Sequence, residues 1–391
     1  MVFDGRQLRV FRESCHTSVV DFAAKMNIGL STIQKYELNL KIPDFFFWNR
    51  MNSIFGVGQV FFEDQADSSD GFEENSIAFR SKVVSHTKET NDEVSFLNQS
   101  NSLILKLSDG ILFPHRIIFE LRDQIQRMVL DGAKIEELAD FARRELNIDN
   151  QNNNLMVSIE NSGVNVIEHG LSDKFDAYSA WSKRNVPYIV LGNLYESNFR
   201  RNFDLAHELG HLLLHYGKNF SLDDTQTRAL EKEANQFASI FLMPEQEFVQ
   251  LFHEYVHFPS DPNDYIGLKS KIQVSIVAIA MRAYKLDLIS DKQYKSFFIN
   301  VSMNKYRLEE PLDHDKHFPL IRPGKIRAII ETRVSSENNY STDSFLSKYG
   351  VNTSYVSRTF NLELENDTQV AYTAHLAKVI NLNQIKKRID K

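Results

Sequence analysis

The chain has 391 residues, 42% of them hydrophobic, 12% aromatic and 25% charged, with a formal net charge of −7. At roughly 150 residues per domain this length predicts two or three domains, and the composition excludes a disordered, collagen-like or coiled-coil chain. The acidic total argues against nucleic-acid binding over the whole surface and leaves room only for one small module.

The first residues, MVFDGRQLRVFRE, show no basic stretch followed by an apolar core and a small-residue cleavage site. No secretory signal is read there, and a cytoplasmic address is expected. Cys15 is the single cysteine, which excludes an intramolecular disulfide and a cysteine-based zinc site. Val19, Phe22, Ala23 and Met26 recur at helical spacing. Asn27 tolerates the left-handed conformation and can make a turn. Ser31 to Tyr36 begins a second helix with Ile33 inward, and Pro43 and the apolar run Phe45 to Trp48 follow. This order, with FAAKMNI at the turn and STIQKYE in the second helix, resembles the lambda-repressor-like (XRE) helix-turn-helix domain. The resemblance implies a DNA-binding domain over residues 1–63 whose helix from Leu30 enters the major groove, with Ser31, Thr32, Gln34 and Lys35 as contacts. Glu37 is read as holding the domain together. Two features depart from the pattern. Leu30 stands where a polar base reader is usual, and residues 1–63 carry seven Lys and Arg against six Asp and Glu, which leaves little attraction for phosphates. A helix-turn-helix kept for dimerisation or partner docking is the alternative.

Residues 64–115 read as a connecting segment, acidic and Ser-rich from Asp64 to Ser81. Helical periodicity then runs through Ile117, Leu121, Ile125, Met128 and Val129 and continues through Ile135, Leu138, Ala139 and Ala142 until DNQNNN (149–154) breaks it. Two strands are predicted, Val164 to Ile167 and Tyr188 to Leu191, bounded by Gly163, Pro187 and Gly192. The second is a candidate edge to which an extended peptide could add its own backbone. Helical spacing dominates again from Arg201 to Val256 and from Ile272 to Leu288. The longest apolar run, Ile276 to Met281, is far short of the roughly 20 residues a membrane helix needs, so no membrane partner is expected.

Within the first of these helical stretches stands His207-Glu208-Leu209-Gly210-His211. Positions i and i+4 of a helix lie one above the other, so both imidazoles can reach one Zn²⁺, with Glu208 close enough to act on a water at that ion. About 0.02 to 0.03 chance copies of H-E-x-x-H are expected in a chain of this composition, and a second copy does occur at His253 to His257. The surroundings separate the two. A catalytic zinc needs a third protein ligand and one open position. Leu230, Ala234, Phe237, Ala238, Phe241 and Leu242 form one apolar arc on the following helix, and Glu231 falls inside that arc while Glu233 falls outside it. A carboxylate on a core-facing stripe is costly unless it is paired or bound to metal. Glu231 is therefore the third candidate ligand, with Asn235 one turn later placed to support a ligand from behind. The helix after the second copy has no acid, and Phe258-Pro259 ends the helix that carries it, so those histidines read as surface residues. His215 reads as a supporting or packing residue, with ligation as the alternative.

The stretches RRNFDLAHELGHLLLH (200–215) and EKEANQFASIFLMP (231–244), with Asp176 to Ser179 and PYIVLGN (187–193) upstream, resemble the ImmA/IrrE family of zinc metallo-endopeptidases. The resemblance implies His207, His211 and Glu231 as zinc ligands and Glu208 as the catalytic acid/base, on a zincin-like domain placed here at residues 116–260. Ser239-Ile240-Phe241 departs mildly from the family's smaller residues and touches packing more than chemistry.

Beyond residue 260 a mostly helical region without an assigned role is expected. FLSKYGVNTSYVSRTF (345–360) has a helix-turn-helix rhythm, read as a structural pair before a second DNA reader, and Lys386, Lys387 and Arg388 as a solvated tail. The expected fold is mainly α with a small β-sheet (α+β). The expected function is a zinc-dependent endopeptidase cleaving a regulatory protein such as a repressor, brought to DNA or to that repressor by its helix-turn-helix. The alternative is a DNA-binding regulator or toxin–antitoxin component whose peptidase-like domain senses a signal or partner. A homodimer is left open.

Overall fold

The computed structural model describes residues 3–63, 71–72, 77–79, 88–112, 117–171, 176–193, 196–218, 224–336, 341–364 and 380–381. Most of the Asp64 to Ser81 segment, and Lys386, Lys387 and Arg388, lie outside the described residues. In chain order, α1 (Gly5–Ser14), α2 (Val19–Met26), α3 (Leu30–Glu37), α4 (Phe45–Phe55) and α5 (Val60–Glu63) come first. Then follow β1 (Ile77–Phe79), α6 (Lys88–Leu107), β2 (Ile111–Leu112), α7 (Ile117–Leu130), α8 (Ile135–Glu145) and α9 (Leu155–Ser162). The strands β3 (Asn165–Glu168), β4 (Ala177–Trp181) and β5 (Pro187–Leu191) lead to α10 (Asn198–Leu214), α11 (Asp224–Leu242) and α12 (Glu245–Tyr255). Next come α13 (Ile266–Ile272), α14 (Ile276–Lys285), α15 (Asp291–Met303), α16 (Lys325–Ser336), α17 (Thr342–Ser347), α18 (Thr353–Phe360) and β6 (Ile380–Asn381). The protein is thus mainly helical with a small sheet. No helix among the described residues is long and apolar enough to cross a membrane.

The N-terminal helices form for local reasons. The Ser18 hydroxyl accepts from the Asp21 backbone N–H at 3.1 Å and starts α2. Asn27, at φ +47°, ends it in the left-handed region. Phe22, Ala23, Met26 and Ile33 are buried as their spacing predicts, but only Phe47 and Trp48 of the apolar run turn inward, leaving Phe45 and Phe46 exposed. Glu37 is tied to Arg12 by paired hydrogen bonds of 2.6 and 3.2 Å. The α17–α18 pair packs on this module: Gly58 N–H donates to Gly350 O at 2.8 Å and Asn352 N–H to Gly56 O at 3.0 Å. Gly350, at φ +72°, has no room for a side chain, because a Cβ would stand 2.3 Å from the Phe61 backbone nitrogen.

The sheet runs β1-β4-β5-β3, with β3 and β5 parallel and β4 antiparallel to both neighbours. Its side chains alternate between two cores. Val166, Ala177, Ile189 and Leu191 belong to the core containing α10. Ile167, Tyr178, Ala180, Tyr188 and Val190 belong to the core that joins α6 and the N-terminal helices. The expected edge position of Tyr188 to Leu191 is corrected here. β5 is paired on both sides, by β4 and β3, so its backbone groups are engaged and cannot accept an incoming strand.

The polar tract that separates α8 from α9 does more than break a helix. Asn152, 1% exposed, donates to the carbonyls of Leu242 at 3.2 Å and Ile272 at 2.8 Å, and so joins the end of α11 to α13. The region beyond residue 260 is tied in by buried charge. Lys269 Nζ reaches Glu310 at 2.9 Å and Asp313 at 2.7 Å, and Glu168 at the end of β3 pairs with Arg201 on α10 at 2.9 Å and with Arg322.

Candidate metal centre

Helix α10 buries Leu205, Leu209, Leu212 and Leu213 on the inner side, and its last carbonyls are held from outside. Gln126 Nε2 donates to Leu213 O at 2.6 Å and to Leu214 O at 3.2 Å, while Trp181 Nε1 donates to Leu212 O at 3.1 Å. Gly210 faces α11. A Cβ there would lie 3.0 Å from Phe237 Cδ1 and 3.5 Å from Ala234 Cα, so the glycine lets the two helices close up. The helix gives up about 1 kcal/mol of propensity at that position, and the close approach brings Glu231 to the histidines.

His207 and His211 are buried, and their Nε2 atoms stand 3.1 Å apart. Glu231 spans both: its Oε2 is 3.3 Å from His207 Nε2 and its Oε1 is 3.1 Å from His211 Nε2. Tetrahedral coordination at zinc–ligand lengths of about 2.0–2.2 Å places donor atoms about 3.3–3.6 Å apart. The donors lie at or just inside that spacing, and two imidazole nitrogens with the Glu231 carboxylate form a donor set that could hold one such ion. Burial pushes the Glu231 carboxyl up, but with no metal between them the hydrogen bonds and charge of protonated His207 and His211 outweigh it and hold the group well below the usual carboxylate range. Glu208 lies between the two histidines on α10 and is 0% exposed.

Hydrogen bonds behind the ligands set which nitrogen faces the centre. His207 Nδ1 is 3.2 Å from Asn235 Oδ1, an acceptor for Nδ1–H; in the neutral ring this leaves the Nε2 lone pair facing the centre. Asn235 is itself held by donating to Glu231 O at 2.8 Å. His215 Nε2 is 3.0 Å from Glu233 Oε2, and His215 Nδ1 is 2.9 Å from His211 Nδ1. With Nε2–H given to the carboxylate, His215 Nδ1 accepts from His211 Nδ1–H, which again leaves His211 Nε2 as a donor to metal. Burial lowers the His215 pKa against the opposing pull of Glu233, in keeping with a neutral ring. Asn235 and His215 therefore both contact the far nitrogens of the candidate ligands His207 and His211. His215→Ala is expected to weaken zinc binding 10- to 100-fold, as read by competition with a fluorescent chelator; unchanged affinity would remove the relay from the account.

Glu233 is the residue the sequence did not single out. It lies off the apolar arc, and its partner His215 sits at the C-cap of α10, with φ −109° and ψ 20°, where a helical projection no longer applies. Among the described residues the second H-E-x-x-H copy gathers no metal-type group: α12 stops at Tyr255, and His253, Glu254 and His257 are exposed. Ser31, Thr32, Gln34 and Lys35 all lie on α3, with Ser31, Gln34 and Lys35 exposed and Thr32 half-buried. Leu30 is 40% exposed on the same helix.

A family model of the peptidase M78 family, described as an IrrE N-terminal-like domain, matches residues 159–284. The match runs from within α9 to within α14 and contains all of the centre described above. A search of curated proteins finds no match to the chain.

Proposed function

We propose that this peptidase-like domain is a zinc-dependent endopeptidase that cleaves a regulatory protein, such as a repressor, and that the N-terminal helices bring it to DNA or to that protein. The observation that carries the reading is the Glu231 carboxylate placed 3.1 and 3.3 Å from the Nε2 atoms of two histidines one helical turn apart. His207, His211 and Glu231 would hold the ion, three protein ligands with a fourth position left open. When bound, the ion supplies a Lewis acid that polarises the scissile carbonyl and acidifies a water. Glu208 takes the proton of the attacking water and returns it to the leaving amine. Asn235 and the His215–Glu233 pair keep the ligand rings in register. A domain that only sensed metal or a partner would use the three ligands and have no need of Glu208, which favours the enzyme over the regulator reading.

The test is to incubate the zinc-loaded full chain with the protein encoded beside it. Cleavage that stops with a chelator and returns with added zinc is the expected result; cleavage indifferent to chelation would refute a metal-dependent peptidase. For the DNA part, the support is the exposed polar face of α3 that carries Ser31, Gln34 and Lys35. Binding of the full chain to its own promoter region should weaken as salt rises, with a shallow slope because few phosphates are neutralised. Absence of salt-dependent binding would assign these helices to docking.

A further inference from the structure

A second group of metal-type donors meets where the N-terminal helices abut the sheet. His16 stands in the turn between α1 and α2 at φ +50°. Glu93 lies in the first half of α6, and His169 directly follows β3. His16 Nε2 is 3.3 Å from His169 Nε2 and 3.5 Å from Glu93 Oε1, and the three donors all lie within 4.8 Å of one another.

The surroundings are built for these groups. Glu93 is 0% exposed; its Oε2 accepts from the Tyr178 hydroxyl at 3.0 Å, while its Oε1, also buried, accepts no hydrogen bond among the described residues. The His169 ring is clamped flat on Phe96, with ring centroids 3.7 Å apart. Asp92 Oδ2 lies 3.7 Å from His16 Nδ1, the nitrogen not directed at Glu93. Among the described residues no Lys or Arg is paired with Glu93, whose neighbours are the Tyr178 hydroxyl and His16 Nε2, so a cation bound here would compensate the buried carboxylate. Two imidazole nitrogens 3.3 Å apart beside a carboxylate oxygen match the spacing of one small divalent ion, and the side-chain exposure of His16, 31%, leaves a solvent position for a fourth ligand.

We propose that His16, Glu93 and His169 form a second divalent-cation site, of zinc type by its donors, that clips the N-terminal helices to α6 and the sheet. Two imidazoles with one carboxylate suit zinc over calcium or magnesium, which prefer all-oxygen sites. One ligand comes from the N-terminal module, one from α6 and one from the end of β3, so an ion here would fix the orientation of α3 relative to the peptidase-like domain.

The experiment is metal counting on the full-length protein, loaded with zinc, desalted and measured by mass spectrometry. His211→Ala empties the first centre and is expected to retain one zinc per chain. Adding Glu93→Gln, an isosteric change at a buried position, is expected to remove that remaining zinc and abolish the rise in melting temperature that zinc gives the single variant. His16→Asn, which keeps a residue tolerant of the left-handed turn, should have the same effect as Glu93→Gln. A His211→Ala protein that holds no zinc, or holds one that neither Glu93→Gln nor His16→Asn removes, overturns the proposal. The count is independent of the peptidase reading: failure of the first centre alone would leave wild type with one zinc, still lost on Glu93→Gln.

Discussion

His211→Ala is expected to lower zinc affinity at the first centre by well over about 100-fold, beyond the range of a supporting residue. The loss exceeds that of one metal–nitrogen bond. His211 Nε2 lies 3.1 Å from both His207 Nε2 and Glu231 Oε1, and its other nitrogen is the anchor for His215. Without it, Glu231 keeps only His207 to offset the burial of its carboxylate, and the His215–Glu233 pair has nothing to position. Glu231→Ala should produce a comparable loss from the opposite helix. Chelator competition on each variant, with circular dichroism to confirm that α10 and α11 persist, reads the effect. Near wild-type affinity in either variant would mean that the ion sits elsewhere.

Glu208→Gln is expected to leave zinc content and folding intact and to reduce cleavage about 10²- to 10⁴-fold, the range of a lost general acid–base group. The amide matches the carboxylate in shape but cannot take a proton from water, and removing a charge from a position 0% exposed carries no folding penalty of its own. The ligands are separate side chains, so the metal count should not change. Loss of activity accompanied by loss of zinc would assign Glu208 to metal binding instead.

The centre was legible because its chemistry is local. His207 and His211 are one helical turn apart, and Glu231 stands out as a charge on an otherwise apolar arc. The hydrogen-bonded layer behind them was only half legible. Asn235 falls one turn after Glu231 on the same helix, whereas Glu233 depends on where His215 points after α10 has ended. The fold's errors have similar causes. IAF and AYSAW are short, with few long apolar residues, so β1 and β4 left little trace and β5 read as an edge. The tract DNQNNN looks like a solvated breaker, yet Asn152 is buried because its side chain satisfies two carbonyls from distant helices. Val129 fits the helical period of α7 but is 42% exposed, in the helix's last turn before Leu130, where Met128 and not Val129 packs against the core. The N-terminal helices and their turn at Asn27 followed the expected pattern, because cap and periodicity agree there.

The most direct test of the account is co-expression of the protein encoded next to this chain with either wild type or Glu208→Gln, followed by mass spectrometry of that neighbour. The account predicts a single defined cut with wild type and none with Glu208→Gln, at equal zinc content in the two proteins. Equal cutting by both would contradict it.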